Sequence, residues 1–241
     1  MSATTLSRSQ LLAYSAMAIP LAMAALPVYV HVPKLYAGDL GVPLALIGAI
    51  LLAARLLDAF QDPLLGYLSD RCARLPRGRA IAIVLGLPLL AAGFVGLFHP
   101  PQSNQIGLAV WLGMNLLIVY LGFSAVSISY FAMGAELSDD HHQRTRVTAT
   151  RSAFGLLGVL IAAAVPGFLG TDTGSGLALF SLFFVPALIV AAFVTLRHTR
   201  TPVFVPAPHA PLRSILLPLR NRKFRWLMGV FVLSGIAGAI P

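Results

Sequence analysis

The chain has 241 residues, of which 58% are hydrophobic and only 10% charged. A water-soluble domain carries ~25% charged residues, so this composition excludes an ordinary soluble globule. The formal net charge of +9 looks like a nucleic-acid signal until the charges are placed, and their placement argues against nucleic acid as a partner.

Long apolar stretches cover roughly 11–32, 43–69, 80–98, 107–135, 147–170 and 177–196. Each exceeds or approaches the ~20 residues that cross a bilayer as a helix. Backbone exposed to lipid must satisfy its hydrogen bonds internally, so these stretches are expected to be helices. The short alternating segments of a β-barrel are absent. Of the 17 Lys and Arg, 14 fall in the N-terminus, in the loops 70–79 and 137–146, and in the segment 197–225, whereas the alternate loops hold only Lys34. This is the positive-inside bias, and it predicts a cytoplasmic N-terminus in a multi-pass inner-membrane protein. The basic charge then reports topology and contact with anionic lipid.

The first stretch is too long for a signal peptide and shows no clear small-residue cleavage site. His31, near its outer end, reads as an interfacial polar residue or as a proton relay. The second stretch, from about Pro43 to Leu68, contains Asp58 and Asp62. A charged group at mid-membrane costs ~2.5–3.5 kcal/mol, so two carboxylates in one span call for a compensating partner, most simply an internal cation. Arg55, Asp58 and Asp62 share one helical face by their spacings of three and four, and Gln61 lies near its edge. Two carboxylates and an amide oxygen make a hard-oxygen set for a small cation such as Na+. They could equally share a proton. A buried Arg55–Asp58 pair that only orients helices is the bland alternative.

After the second stretch comes Gly66-Tyr67-Leu68-Ser69-Asp70-Arg71, then Arg74 and Arg77-Gly78-Arg79. An Asp flanked by Arg residues at a helix end can lock or release that end as helices rock. Cys72, the single cysteine, has no partner for an intramolecular disulfide and reads as a small loop residue. His141 and His142, with Asp139 and Asp140, read as a solvated charged loop rather than a metal site. Tyr14, Tyr120 and Tyr130 offer aromatic faces to a sugar ring or to neighbouring helices. Gly and Pro within the spans, among them Gly48, Gly66, Gly155 and Gly158, read as close-packing positions or as flexible points. No phosphate-binding loop supports ATP-driven transport, and no nucleophile–base pair suggests an enzyme.

Gly66-x-x-x-Asp70-Arg71 with Arg77-Gly78-Arg79 resembles the loop 2–3 signature of the major facilitator superfamily. Asp58-Ala59-x-x-Asp62-Pro63-x-x-Gly66 resembles, more sharply, the second-helix motif of its glycoside–pentoside–hexuronide:cation symporters. The resemblance extends over essentially the whole chain but over only the N-terminal half of the usual protein. It implies that Asp58 and Asp62 bind the coupling Na+, Li+ or H+, with no other cofactor. Gln61 falls where one member offers an Asn ligand, and Ser124 where it offers a Thr hydroxyl. Arg151 resembles the fifth-helix Arg near the sugar, and the stretch through Ser127 and Tyr130 resembles the fourth-helix segment. Arg55 joins these as a candidate solute contact. Gly66, Asp70, Arg71, Arg77, Gly78 and Arg79 would form the cytoplasmic gate. The aspartates that hold sugar hydroxyls in that member have no counterpart near Ala22 or at Ser127.

The expected fold is all-α: a six-helix transmembrane bundle over 1–196, built as two three-helix inverted repeats. A cytoplasmic loop is expected over 197–221, and the start of a seventh helix over 222–241. The last apolar run, Trp226 to Pro241, reaches only ~24 Å as a helix, short of the ~30 Å core. It reads as a seventh span cut short, with the C-terminal half missing. The expected function is cation-coupled symport of a sugar-like solute by alternating access, with no transport by this portion alone. A uniporter or proton-coupled exporter of the same fold, or a non-transporting truncated remnant, are the alternatives.

Overall fold

A computed structural model of the chain describes residues 6–138, 140–199 and 220–239. They are mostly helical, joined by short turns, with no strand among the described residues. The chain divides into two units, 1–204 and 205–241. The first holds six helices long and apolar enough to cross a membrane: α1 (Arg8–Asp39), α2 (Leu44–Cys72), α3 (Gly78–Phe98), α4 (Gln105–Glu136), α5 (His141–Leu169) and α6 (Thr173–His198).

Side-chain caps set where four of the six helices begin. Ser7 caps α1 in a reciprocal box with Gln10, each side chain bonded to the other's backbone amide at 3.2 Å. Asn104 accepts from the Gly107 amide at 2.8 Å to start α4, and Asp140 accepts from the His142 amide at 3.0 Å to start α5. This cap is why α5 begins at His141, six residues ahead of the apolar run, so that the two histidines lie in its first turn rather than in a loop. Asp139 lies outside the described residues. Asp172 caps α6, and the Ser175 hydroxyl and amide hold its carboxyl below the usual carboxylate range.

Proline shapes α1 most strongly. A ring nitrogen cannot donate to the helical ladder. Pro27 opens a π-helical turn, Pro27–His31, and a second such turn, Leu35–Asp39, follows shortly after Pro33. Pro63, Pro88 and Pro186 lie inside α2, α3 and α6, which continue through them.

Packing follows an internal symmetry. Helix α1 packs on α5 as α4 packs on α2, and α3 meets α6. Exchanging α1–α3 for α4–α6 carries one pairing into the other, as two inverted three-helix repeats require. The closest seam joins α3 to α4. There Gly86 faces Val126, Gly93 faces Val119, and Gly122 lies against the backbone of Leu90. Small residues of this kind allow close helix approach where lipid supplies no hydrophobic drive. Phe94 bridges α3 to α6, 4.3 Å from the Phe184 ring. Tyr14 stacks on Tyr130 at 4.6 Å, and each hydroxyl donates to the other's backbone carbonyl, at 3.2 and 3.0 Å, tying α1 to α4. Apolar side chains also cover the outer surface. On α2 these include Leu52, Leu56, Phe60 and Leu64, opposite the face that carries Asp58 and Asp62.

In the second unit, α7 spans Arg222–Ala239. Asn221 accepts from the Lys223 amide at 3.0 Å, so the helix begins ahead of the apolar run at Trp226. The expected loop over 197–221 falls mostly on 200–219, outside the described residues. At its near end, α6 continues to His198.

Candidate cation and solute site

Asp58 is the middle residue of α2, which places it at mid-span. Its side chain is 13% exposed and is surrounded by donors. The Gln61 amide nitrogen donates to Oδ1 at 2.9 Å, and the Ser124 hydroxyl of α4 donates to the same oxygen at 3.1 Å. Arg55 approaches Oδ2 at 3.5 Å. Asp62, one turn on, lies within electrostatic reach of Asp58, Arg55 and Ser124. Its Oδ1 is buried and accepts no hydrogen bond. A buried carboxylate oxygen without a donor carries a desolvation cost that a cation or a proton would relieve. The four residues expected at the cation site, Asp58, Asp62, Gln61 and Ser124, are therefore brought together. Gln61 offers Asp58 its nitrogen, where the sequence suggested an oxygen for a cation. Among the described residues no cluster of three or more His, Cys, Asp or Glu side chains is suited to a metal, so any cation here would rely on two carboxylates with neutral oxygens.

The expected solute contacts divide. Arg55 belongs to the cation cluster: its guanidinium lies over the rings of Tyr29 and Tyr120, at 4.4 and 4.6 Å from their centroids. Arg151 on α5 lies 4.4 Å from the Phe131 ring centroid. Ser127 and Tyr130 are buried, and both hydroxyls are directed at backbone carbonyls, of Ser124 and Tyr14 respectively. Neither presents a free hydroxyl in this conformation. Phe131, 47% exposed beside Arg151, is an available aromatic face that sequence reasoning did not select.

At the end of α2 the expected gate is organised by one arginine. Arg79 is 5% exposed and forks onto Glu136, its Nε at 2.8 and 3.0 Å from the two carboxylate oxygens. Its other nitrogens reach Asp70 at 3.0 Å and the Ser69 hydroxyl at 3.0 Å, and Ser69 in turn meets Ser129 at 2.8 Å. Helices α2, α3 and α4 are thereby pinned at one point. Arg77 holds a left-handed conformation at φ 58°, completing the turn into α3. Gly78 lies so close to the Cys72 carbonyl that a Cβ would overlap it, which makes glycine a steric requirement there. Arg71 is exposed, and Gly66 has no neighbour near its Cα hydrogen. Glu136, Ser69 and Ser129 were not selected as gate residues by sequence reasoning. Glu136 lies 57 residues from Arg79, and no local spacing signals so distant a contact.

Residues 11–240 match the family of MFS/sugar transport proteins. An uncharacterized symporter of Synechocystis is 29% identical over 198 residues, covering 74% of this chain and 35% of the relative. The inner membrane symporter YicJ of Escherichia coli is 25% identical over 83% of this chain and 45% of its own length. The isoprimeverose transporter of Lactiplantibacillus pentosus is 25% identical over 82% of this chain and 43% of its own. The chain thus spans less than half the length of these curated relatives.

Proposed function

The chain belongs to the family of MFS/sugar transport proteins, and from that premise we propose that it is the cation-binding, solute-facing bundle of a symporter. The coupling cation is Na+ or H+, and the solute is sugar-like. Relatives named as symporters and as an isoprimeverose transporter support this reading. The observation that carries it is the buried, partnerless Oδ1 of Asp62 beside Asp58 at the middle of α2. A cation placed there offsets two neighbouring carboxylates at once. It also draws Ser124, and with it α4, toward α2. Solute then meets Arg151 and Phe131. Coupling requires that the cation favour the solute-binding arrangement, and the effect must be reciprocal. Rocking between inward- and outward-open forms opens and closes the Asp70–Arg79–Glu136 cluster. The protein resides in the inner membrane with its N-terminus in the cytoplasm, as the distribution of Lys and Arg favours.

The test is calorimetric titration of the purified protein with Na+, beside Asp58→Asn and Asp62→Asn. Saturable binding by the parent, lost in both variants, is the expected outcome. A folded parent that binds no Na+ removes sodium coupling. Binding that survives both substitutions places the cation elsewhere.

A further inference from the structure

The cation cluster contains a cation of its own. Arg55 lies on the same face as Asp58 and Asp62, yet it pairs loosely. Its Nη1 stands 3.5 Å from Asp58 Oδ2, where a close charge-assisted bond is ~2.7–2.9 Å. Elsewhere in the molecule Arg79 reaches Glu136 at 2.8 Å through Nε, so a loose pair is not a general property of this chain. What holds Arg55 off is visible. Its guanidinium lies over the rings of both Tyr29 of α1 and Tyr120 of α4, with both ring centroids within 4.6 Å. Arginine stacks on aromatic faces in this way because its charge is delocalised and weakly hydrated. The rings therefore compete with the carboxylates for the guanidinium.

The two rings are placed differently. Tyr120 is 5% exposed and fixed in the bundle interior. Tyr29 is 58% exposed and sits in the π-helical turn opened by Pro27. Such turns recur at functional sites because the inserted residue re-aims its neighbours.

Resting on the reading of Asp58 and Asp62 as the cation site, we propose that Tyr29 and Tyr120 are positioning residues for the coupling cation. They clamp Arg55 away from the carboxylates and so keep the site open to an external ion. Without the clamp, Arg55 closes onto Asp58 and Asp62 as a tethered counter-ion, and the external cation must displace it. Because the rings come from α1 and α4, movement of Arg55 is transmitted to both helices.

The experiment is Na+ titration by calorimetry of the purified protein, with Tyr29→Leu, Tyr29→Phe and Tyr120→Leu, each made in the parent and in an Arg55→Met background. The expected result is a Kd for Na+ raised about tenfold by either leucine variant, equivalent to ~1.4 kcal/mol. Tyr29→Phe, which keeps the aromatic face, stays near the parent. In the Arg55→Met background the leucine substitutions change nothing further, because the competitor is gone. A leucine effect of equal size with and without Arg55 overturns the clamp and leaves the tyrosines as packing residues. So does an unchanged Kd in a variant that retains the parent's thermal midpoint. A parent that binds no Na+ overturns both the sodium reading of the site and the clamp with it.

Discussion

Arg79 is the residue whose loss should be felt most at one end of the bundle. It is buried and shared between Glu136, 15% exposed, and Asp70, 66% exposed. Breaking a buried ion pair by removing one partner costs ~3–5 kcal/mol, because the other charge is left desolvated. The Asp70 arm adds little to that, since water screens it. Arg79→Gln should therefore destabilise the protein by ~3 kcal/mol, read as a lowered thermal midpoint in detergent. Arg79→Lys should recover part of the loss: it restores charge but not the planar fork that meets both oxygens of Glu136. Equal midpoints for parent and Arg79→Gln would remove the network as a source of stability. At this scale the sequence is most legible where partners are close along the chain. Asp58, Asp62 and Arg55 declare themselves by three- and four-residue spacing inside an apolar run. The ion-pair cluster at the end of α2 was legible as Asp70 among several arginines, but not in which arginine it uses. Arg71 and Arg77 are equally near in sequence, and only the turn at Arg77 and the steric demand at Gly78 direct Arg79 inward.

The seam between α3 and α4 is the most exacting contact between elements. At Gly122 an added Cβ would meet the backbone of Leu90, which cannot swing aside as a side chain does. Overpacking of this kind costs ~1–3 kcal/mol. Gly122→Ala should lower the thermal midpoint accordingly. Gly155→Ala on α5, with nothing within 4 Å of the added atom, should leave it unchanged or slightly raised, since alanine is the better helix former. Equal behaviour of the two variants would show that the seam yields. This contrast was not readable from composition, because glycines at packing seams and glycines facing open space look alike in an apolar run. The six spans were readable because bilayer thickness imposes their length. The π-helical turns of α1 were not, although Pro27 and Pro33 mark where the ladder is interrupted.

Across the whole bundle, consecutive spans alternate in direction, so the ends that share a membrane face are fixed once one end is assigned. Arg8 opens α1, Arg71, Arg74 and Arg77 lie where α2 turns into α3, Arg144 and Arg146 lie in the first turns of α5, and Arg197 lies in the last turn of α6. These ends all fall on one face. Among the described residues, the connections at the opposite ends of these helices carry only Lys34, in α1 between its two π-helical turns. The cytoplasmic leaflet, with its anionic lipids and the membrane potential, retains Lys and Arg, so the proposed orientation sets the basic face in the cytoplasm. Cys72, the chain's single cysteine, ends α2 on that face and is partly accessible. It is therefore a native reporter of orientation. In intact cells a membrane-permeant maleimide should label it, and a charged, impermeant maleimide should not. In inverted membrane vesicles both should react. Labelling of intact cells by the impermeant reagent would reverse the topology and place the Asp70–Arg79–Glu136 cluster at the outer face. The proposed alternating-access cycle would then close at the opposite side from the one the basic residues indicate.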